Sequence, residues 1–213
     1  IPAALSGVMR EYYVILAEGV AATYREDYAR AESLFTTVAR AAPEHPVGPL
    51  MQAATVQAHM LDREVLDRAD EFLELVDTTQ ARARAWIADH PDDPWGYCFL
   101  GHAYGYRAMW EGKYGSWFKA MKLGRKAKGA YHDAIRADSA CWDLYVGLGN
   151  YHYWKSARTE FINWTGLIKD EKKRGIRELG WAIDSSYFAT AASAAALIWV
   201  NLHRKEFDQA IAL

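Results

Sequence analysis

The pattern of apolar and polar positions repeats along the chain every 48 residues. Three segments, each an apolar stripe at helical spacing followed by a polar stop, align without gaps at this spacing: residues 85–91, 133–139 and 181–187. A second set of segments has the same period and precedes the next apolar stretch in each case: residues 45–48, 93–96 and 141–144. Apolar residues three and four positions apart predict amphipathic helices. Each period therefore predicts a pair of helices.

Within one period, the small and large residues follow the pattern of a known repeat. Gly101 lies three residues before Tyr104, and the second half of the period carries Ala127, Tyr131 and Ala134. This pattern resembles the tetratricopeptide repeat (TPR), whose signature is W-x2-L-G-x2-Y followed by A-x3-F and a terminal Pro. The resemblance implies an all-α fold, a right-handed superhelix (α-solenoid) of antiparallel helical hairpins. In such a fold, small residues let two helices approach and large residues fill the space opposite.

The repeat predicts a single TPR-like array over residues 1–213. Its units fall at about 12–45, 46–93, 94–141, 142–190 and a truncated 191–213. Only the first unit has the ordinary length of about 34 residues. The three central units are 14 residues longer, and the extra residues fall between the two halves of each unit.

The three extensions lie near residues 61–79, 110–127 and 158–175. The first is amphipathic, which predicts a lengthened helical hairpin rather than a loop. The second and third contain residues that favour a kink or turn: Gly112, Gly115, Gly124, Asn163 and Gly166.

In TPR proteins the first helix of each hairpin lines the concave face, where ligands dock. Carried over by position, this role predicts an aromatic binding groove with polar groups along it: Trp95, His102, Tyr106, Arg107, Asn150, Tyr153, Trp154, Trp199 and His203. Arg107 or Lys155 would pair there with an anionic group. The alternative is that the rings fill the interior of the hairpins, since an aromatic stripe at helical spacing often belongs to a core.

Charge is unevenly distributed along the chain. Residues 101–180 hold 15 basic and 8 acidic side chains, whereas the whole chain has a net charge of −2. The basic runs at 119–128 and 169–177 are not interleaved with aromatic residues, so a solvated face is favoured over nucleic-acid binding. Another use is pairing with the acidic segment 62–77 of a neighbouring unit or of another molecule.

Motifs for catalysis, cofactors or metal ions are missing from the sequence. Cys98 and Cys141 are too far apart for a CxxC pair, and no HExxH, GxSxG or phosphate-loop motif occurs. The spacings of His102, His152 and His203 differ from 48, so a structural role is expected for each. We therefore expect no cofactor, no metal and no membrane span, because the apolar runs are too short to cross a bilayer.

Three functions remain open on the sequence alone. The favoured hypothesis is a non-enzymatic scaffold that binds a protein or peptide in the aromatic groove. A small-ligand or carbohydrate-binding protein, or an enzyme, would need a pair of carboxylates facing the rings, and Asp143 is the one candidate. The third hypothesis is self-assembly through the charged extensions, which would give a homo-oligomer.

The ends of the chain bear on its origin. The sequence begins with Ile1 and stops inside an apparent helix at residues 207–213, so we expect an upstream piece to have been removed and the natural protein to continue. An exported or periplasmic location and a cytoplasmic one are both compatible with these features.

Overall fold

The computed structural model describes residues 1–2, 5, 7–160 and 169–213, and the secondary structure of these residues is helical, without strands. A 3₁₀ turn at Trp142–Leu144 precedes α8. The helices in chain order are α1 (Gly7–Glu11), α2 (Tyr13–Tyr24), α3 (Tyr28–Ala41), α4 (Val47–Asp62), α5 (Ala69–Asp89), α6 (Pro94–Tyr114), α7 (Trp117–Ala137), α8 (Tyr145–Arg158), α9 (Lys172–Ser185), α10 (Thr190–Arg204) and α11 (Phe207–Ile211).

Consecutive helices pack as hairpins: α2 on α3, α4 on α5, α6 on α7, α8 on α9 and α10 on α11. These hairpins fall into two compact units, residues 1–138 with the first three and residues 139–213 with the last two. The all-α hairpin fold expected from the sequence is therefore present. The assignment of the whole chain to a single five-unit array stays a prediction.

The extensions lengthen the helices of the second and third hairpins. Helices α2 and α3 have 12 and 14 residues, whereas α5, α6 and α7 have 21 each. The predicted turn of the second extension lies at Gly115–Ser116, between α6 and α7, while Gly112 and Gly124 lie inside those helices. In the third extension, Asn163 and Gly166 lie outside the described residues.

Small residues set the distance between the two helices of a hairpin. A Cβ atom on Gly101 of α6 would overlap the ring of the fully buried Tyr131 on α7. A Cβ on Gly149 of α8 would lie 2.8 Å from Leu179 Cγ and 2.8 Å from the carbonyl oxygen of Gly175, both on α9. These distances are below van der Waals contact, so the helices approach this closely only because glycine has no side chain.

Among the described residues, the turns of three hairpins contain a non-glycine residue with left-handed backbone. Glu26, Glu64 and Lys205 have φ angles of 62°, 53° and 62°. After Glu64, the Val65 N–H donates to the carbonyl oxygen of Met60, and the equivalent bond after Lys205 joins Glu206 to Asn201. These are the helix-ending bonds of the Schellman type, which satisfy carbonyl groups at the end of the first helix.

Candidate functional site

In the second compact unit, residues 139–213, aromatic side chains of α8 and α10 meet. Each of these helices is the first helix of its hairpin, and the two hairpins are adjacent. The Tyr153 hydroxyl lies 2.8 Å from Nδ1 of His203, and the His203 ring centroid lies 5.2 Å from that of Trp154. Trp199 lies one helical turn before His203 and is 66% exposed. We call Trp154, Trp199 and His203 the aromatic face.

The buried side chain of Tyr153 packs against Trp154 and His203 of this face. This side chain is fully buried, and its hydroxyl donates to the carbonyl oxygen of Val200 at 3.4 Å. Burial raises the pKa of Tyr153 above its ordinary value, so the hydroxyl keeps its proton at neutral pH. The hydrogen bond between the Tyr153 hydroxyl and Nδ1 holds the orientation of the His203 ring, whose Nε2 is directed away from this bond.

Asp143 fixes the position of α10 relative to the start of α8. The Asp143 carboxylate accepts the backbone N–H groups of Tyr187, Phe188 and Ala189 at 2.9, 2.8 and 3.0 Å, directly before α10 begins. Burial raises its pKa to about 6, and the three N–H bonds act in the opposite direction. The sequence placed Asp143 in the groove as the one candidate acid, whereas the structure buries it as a helix cap.

In the first compact unit, residues 1–138, most of the predicted groove residues of α6 make contacts inside the fold. Trp95 is buried against Phe99, with 5.4 Å between ring centroids. His102 is half-buried, and its Nδ1 lies 3.0 Å from the hydroxyl of Tyr131. These contacts give Trp95 and His102 packing roles inside the third hairpin.

Tyr106 and Arg107 follow on the same helix and are also half-buried. Tyr106 meets Phe72 edge-on at 6.0 Å, and burial raises its pKa well above the ordinary value. Arg107 lies 3.7 Å from carboxylate oxygens of Asp77 and of Glu111. The other cation expected to pair with an anion, Lys155, lies 2.5 Å from the carboxylate of Glu171. Both expected cations therefore already have carboxylate neighbours.

The structure does not give all nine predicted site residues the same environment. Trp95 and Tyr153 are buried, and Asn150 donates to the carbonyl oxygen of Val146 on its own helix at 2.8 Å. Only Trp199 and His203 are exposed. Tyr153, Trp154 and His203 contact one another. The use of these residues as a ligand groove stays a prediction.

The structure has a second surface feature, whose residues were not predicted from the sequence. The turn between α4 and α5 and the end of α6 enclose a recess of about 50 Å³. Its apolar lining comes mainly from Met60, Leu61, Leu66, Met109, Trp110 and Tyr114. The sequence signal that points to it is the lengthening of these two hairpins, which brings apolar turn residues of one hairpin beside the next.

His152 and Glu178 form a buried pair between α8 and α9. His152 Nδ1 lies 2.5 Å from Glu178 Oε2, and Glu178 Oε1 accepts from Arg174 Nε at 2.9 Å. His152 Nε2 is buried without a hydrogen-bond partner among the described residues. Within the same residues, no cluster of three His, Cys, Asp or Glu side chains is arranged to hold a metal ion. The pair joins the two helices of its hairpin.

Comparison with known proteins identifies the architecture. A scan of protein-family models found no match, and a search of curated proteins likewise found none. Among solved structures, the crystal structure of a thermophilic TPR protein from Thermus thermophilus superposes with a TM-score of 0.55. The fold is TPR-like. The alignment covers 94% of this chain and 87% of that protein at 19% sequence identity, so the likeness concerns the fold alone.

Within the described ranges, none of the TPR-like helices is both long and apolar enough to cross a membrane. Cys98 and Cys141 are both buried, each in its own compact unit.

Proposed function

We propose that the chain is a repeat scaffold that binds a protein segment, with the aromatic face of α8 and α10 as its contact surface. The TPR-like fold supports the general role, since helical repeats of this kind commonly bind proteins. The observation that carries the assignment is the exposed Trp199 beside His203 and Trp154 on the first helices of two adjacent hairpins.

The chemistry of the aromatic face suits a peptide. Tryptophan offers a large contact area at little cost in conformational entropy, and interface residues with large energetic contributions are enriched in tryptophan. The imidazole of His203, oriented by the Tyr153 hydroxyl, adds a directional polar group beside the rings. A bound segment would place an apolar or aromatic side chain on Trp199 and a polar group towards His203.

The carbohydrate and enzyme alternatives depend on a carboxylate near the rings. Asp143 was their candidate, and both of its oxygens accept backbone N–H groups at the start of α10. No further observation favours either alternative.

The test uses a library of random displayed peptides selected on the whole chain. Peptides that bind are measured against Trp199→Ala and against Trp181→Ala, a matched control on the second helix α9, whose indole is 41% exposed. We expect Trp199→Ala to weaken binding by about 2 kcal/mol, roughly 30-fold, and Trp181→Ala to leave it unchanged. Equal losses in the two variants, or a selection that yields no binding peptide, would contradict the proposal.

A further inference from the structure

The first compact unit, residues 1–138, has an apolar patch at the turns of its lengthened hairpins. We call it the tip patch, and it consists of the recess between α4 and α6 together with the exposed residues beside it: Leu61, Leu66, Met109, Tyr114, Trp117 and Phe118. Phe118 is 83% exposed at the first turn of α7. An exposed group of large apolar residues of this kind marks an interaction surface.

Acidic side chains flank the tip patch on the side of α5. Asp67 follows Leu66 of the recess, and Asp70 and Glu74 continue from it along α5 at helical spacing. All three carboxylates are exposed, and none has an ion-pair partner among the described residues. They form an acidic stripe.

Basic side chains flank the patch on the side of α7. Lys122 and Arg125 lie four and seven residues after Phe118, so the three side chains share one face of the helix. Lys119 lies beside them, and the segment from 112 to 132 contains no acidic residue. The three cations are exposed and, in the part of the chain that the structure describes, have no ion-pair partner. They form a basic stripe.

These two stripes do not neutralise each other within one molecule, and each is complementary to the other. Helices α5 and α7 have 21 residues each, about 32 Å of helix at 1.5 Å per residue. An anionic membrane or an acidic peptide would meet the basic stripe favourably but would be repelled by the acidic stripe across the same recess. A second copy of the chain satisfies both stripes at once.

We propose that the tip patch is a self-association surface, on which two copies meet about a two-fold axis. In this arrangement α5 of each copy faces α7 of the other, so that every acidic–basic contact occurs twice, and the apolar residues meet at the centre. The charged stripes then select the partner and its orientation, while the apolar centre supplies the burial of surface.

The experiment is sedimentation of the whole chain at low and high salt, without any ligand. The wild-type chain is expected to dimerise at low salt and to dissociate as salt rises, because exposed ion pairs are screened. Charge reversal in Lys122→Glu/Arg125→Glu and, separately, in Asp70→Lys/Glu74→Lys should each weaken the dimer by about tenfold or more. The double variant Arg10→Glu/Arg40→Glu makes the same charge change on α1 and α3 and should leave the dimer intact.

Mixing the two charge-reversed variants gives the decisive result. One variant then has acidic groups on both helices and the other has basic groups on both, so a two-fold heterodimer regains both sets of contacts. An equimolar mixture is therefore expected to associate at concentrations at which neither component does alone. A wild-type chain that stays monomeric at low salt, or a mixture that stays monomeric, overturns the proposal.

A monomer that co-sediments with phosphatidylglycerol vesicles would also overturn the proposal and would instead assign the patch to anionic lipid. Because the tip patch lies in the first unit and the aromatic face in the second, failure of one proposal leaves the other standing.

Discussion

His45 makes the stability of the first unit depend on pH. The side chain is 1% exposed in the turn between α3 and α4, and its Nδ1 accepts the backbone N–H of Val47 at 3.2 Å. Its ring meets those of Trp86 and Phe99 edge-on at 4.6 and 5.8 Å. Burial lowers the pKa of His45 from 6.5 to about 4, with a smaller opposing effect from the carboxylate of Asp93.

The direction of the effect follows from proton binding in the two states. Below pH 6.5 the unfolded chain protonates this histidine, whereas the folded chain keeps it neutral until about pH 4. The contribution to stability is therefore fully present above pH 6.5 and is lost as the pH falls towards 4. One pKa unit corresponds to about 1.4 kcal/mol, so the loss from this group amounts to about 3 kcal/mol.

The assay is urea denaturation of the whole chain between pH 7.5 and pH 4 for the wild type and for His45→Gln. Glutamine keeps a hydrogen-bond acceptor near Val47 but cannot take up a proton. We expect the wild type to lose about 3 kcal/mol more free energy of unfolding than His45→Gln over this interval. His90→Gln, at an exposed histidine that stacks on Trp86 at 3.9 Å, controls for the loss of an imidazole. Parallel pH profiles for the wild type and His45→Gln would refute the reasoning.

Further predictions concern the hairpins and can be measured by the same denaturation assay at pH 7.5. Glu64→Gly should stabilise the chain by about 1 kcal/mol, because glycine adopts the φ of 53° without strain; a lower midpoint would contradict this. Gly101→Ala should destabilise it by about 1–3 kcal/mol through overlap with Tyr131, whereas Gly129→Ala, which meets no atom within 4 Å, should stabilise it slightly; equal effects would argue against the close packing. Asp143→Asn should cost about 1–3 kcal/mol because the amide N–H₂ cannot accept a backbone N–H; unchanged stability would remove the capping role.

The parts of the fold that follow from local chemistry could be predicted from the sequence. The 48-residue period located the helix pairs, and the small–large pattern anticipated the contact between Gly101 and Tyr131. Asp93 followed by Pro94 is a pattern typical of a helix start, and the Asp93 Oδ1 accepts the backbone N–H of Trp95 at 3.0 Å. Each of these features depends on residues close in sequence or on the repeat itself.

Other features have no clear signal in the local sequence. Glu26, Glu64 and Lys205 end helices in a left-handed conformation, although neither glycine nor asparagine marks those positions. Asp143 has the residue type and position of a groove residue, but it caps a helix that begins about 45 residues later in the sequence. Position in a repeat therefore predicted which helix carries a side chain better than whether that side chain is exposed.

The most direct test of the scaffold proposal is the indole N–H region of the ¹H–¹⁵N spectrum while a selected peptide is added. We expect the signals of Trp199 and Trp154 to shift with increasing peptide, whereas that of Trp181 stays in place. Assignment by single Trp→Phe variants identifies each signal. Shifts confined to Trp181 or to tryptophans of the first unit, with Trp199 unchanged, would contradict binding at the aromatic face.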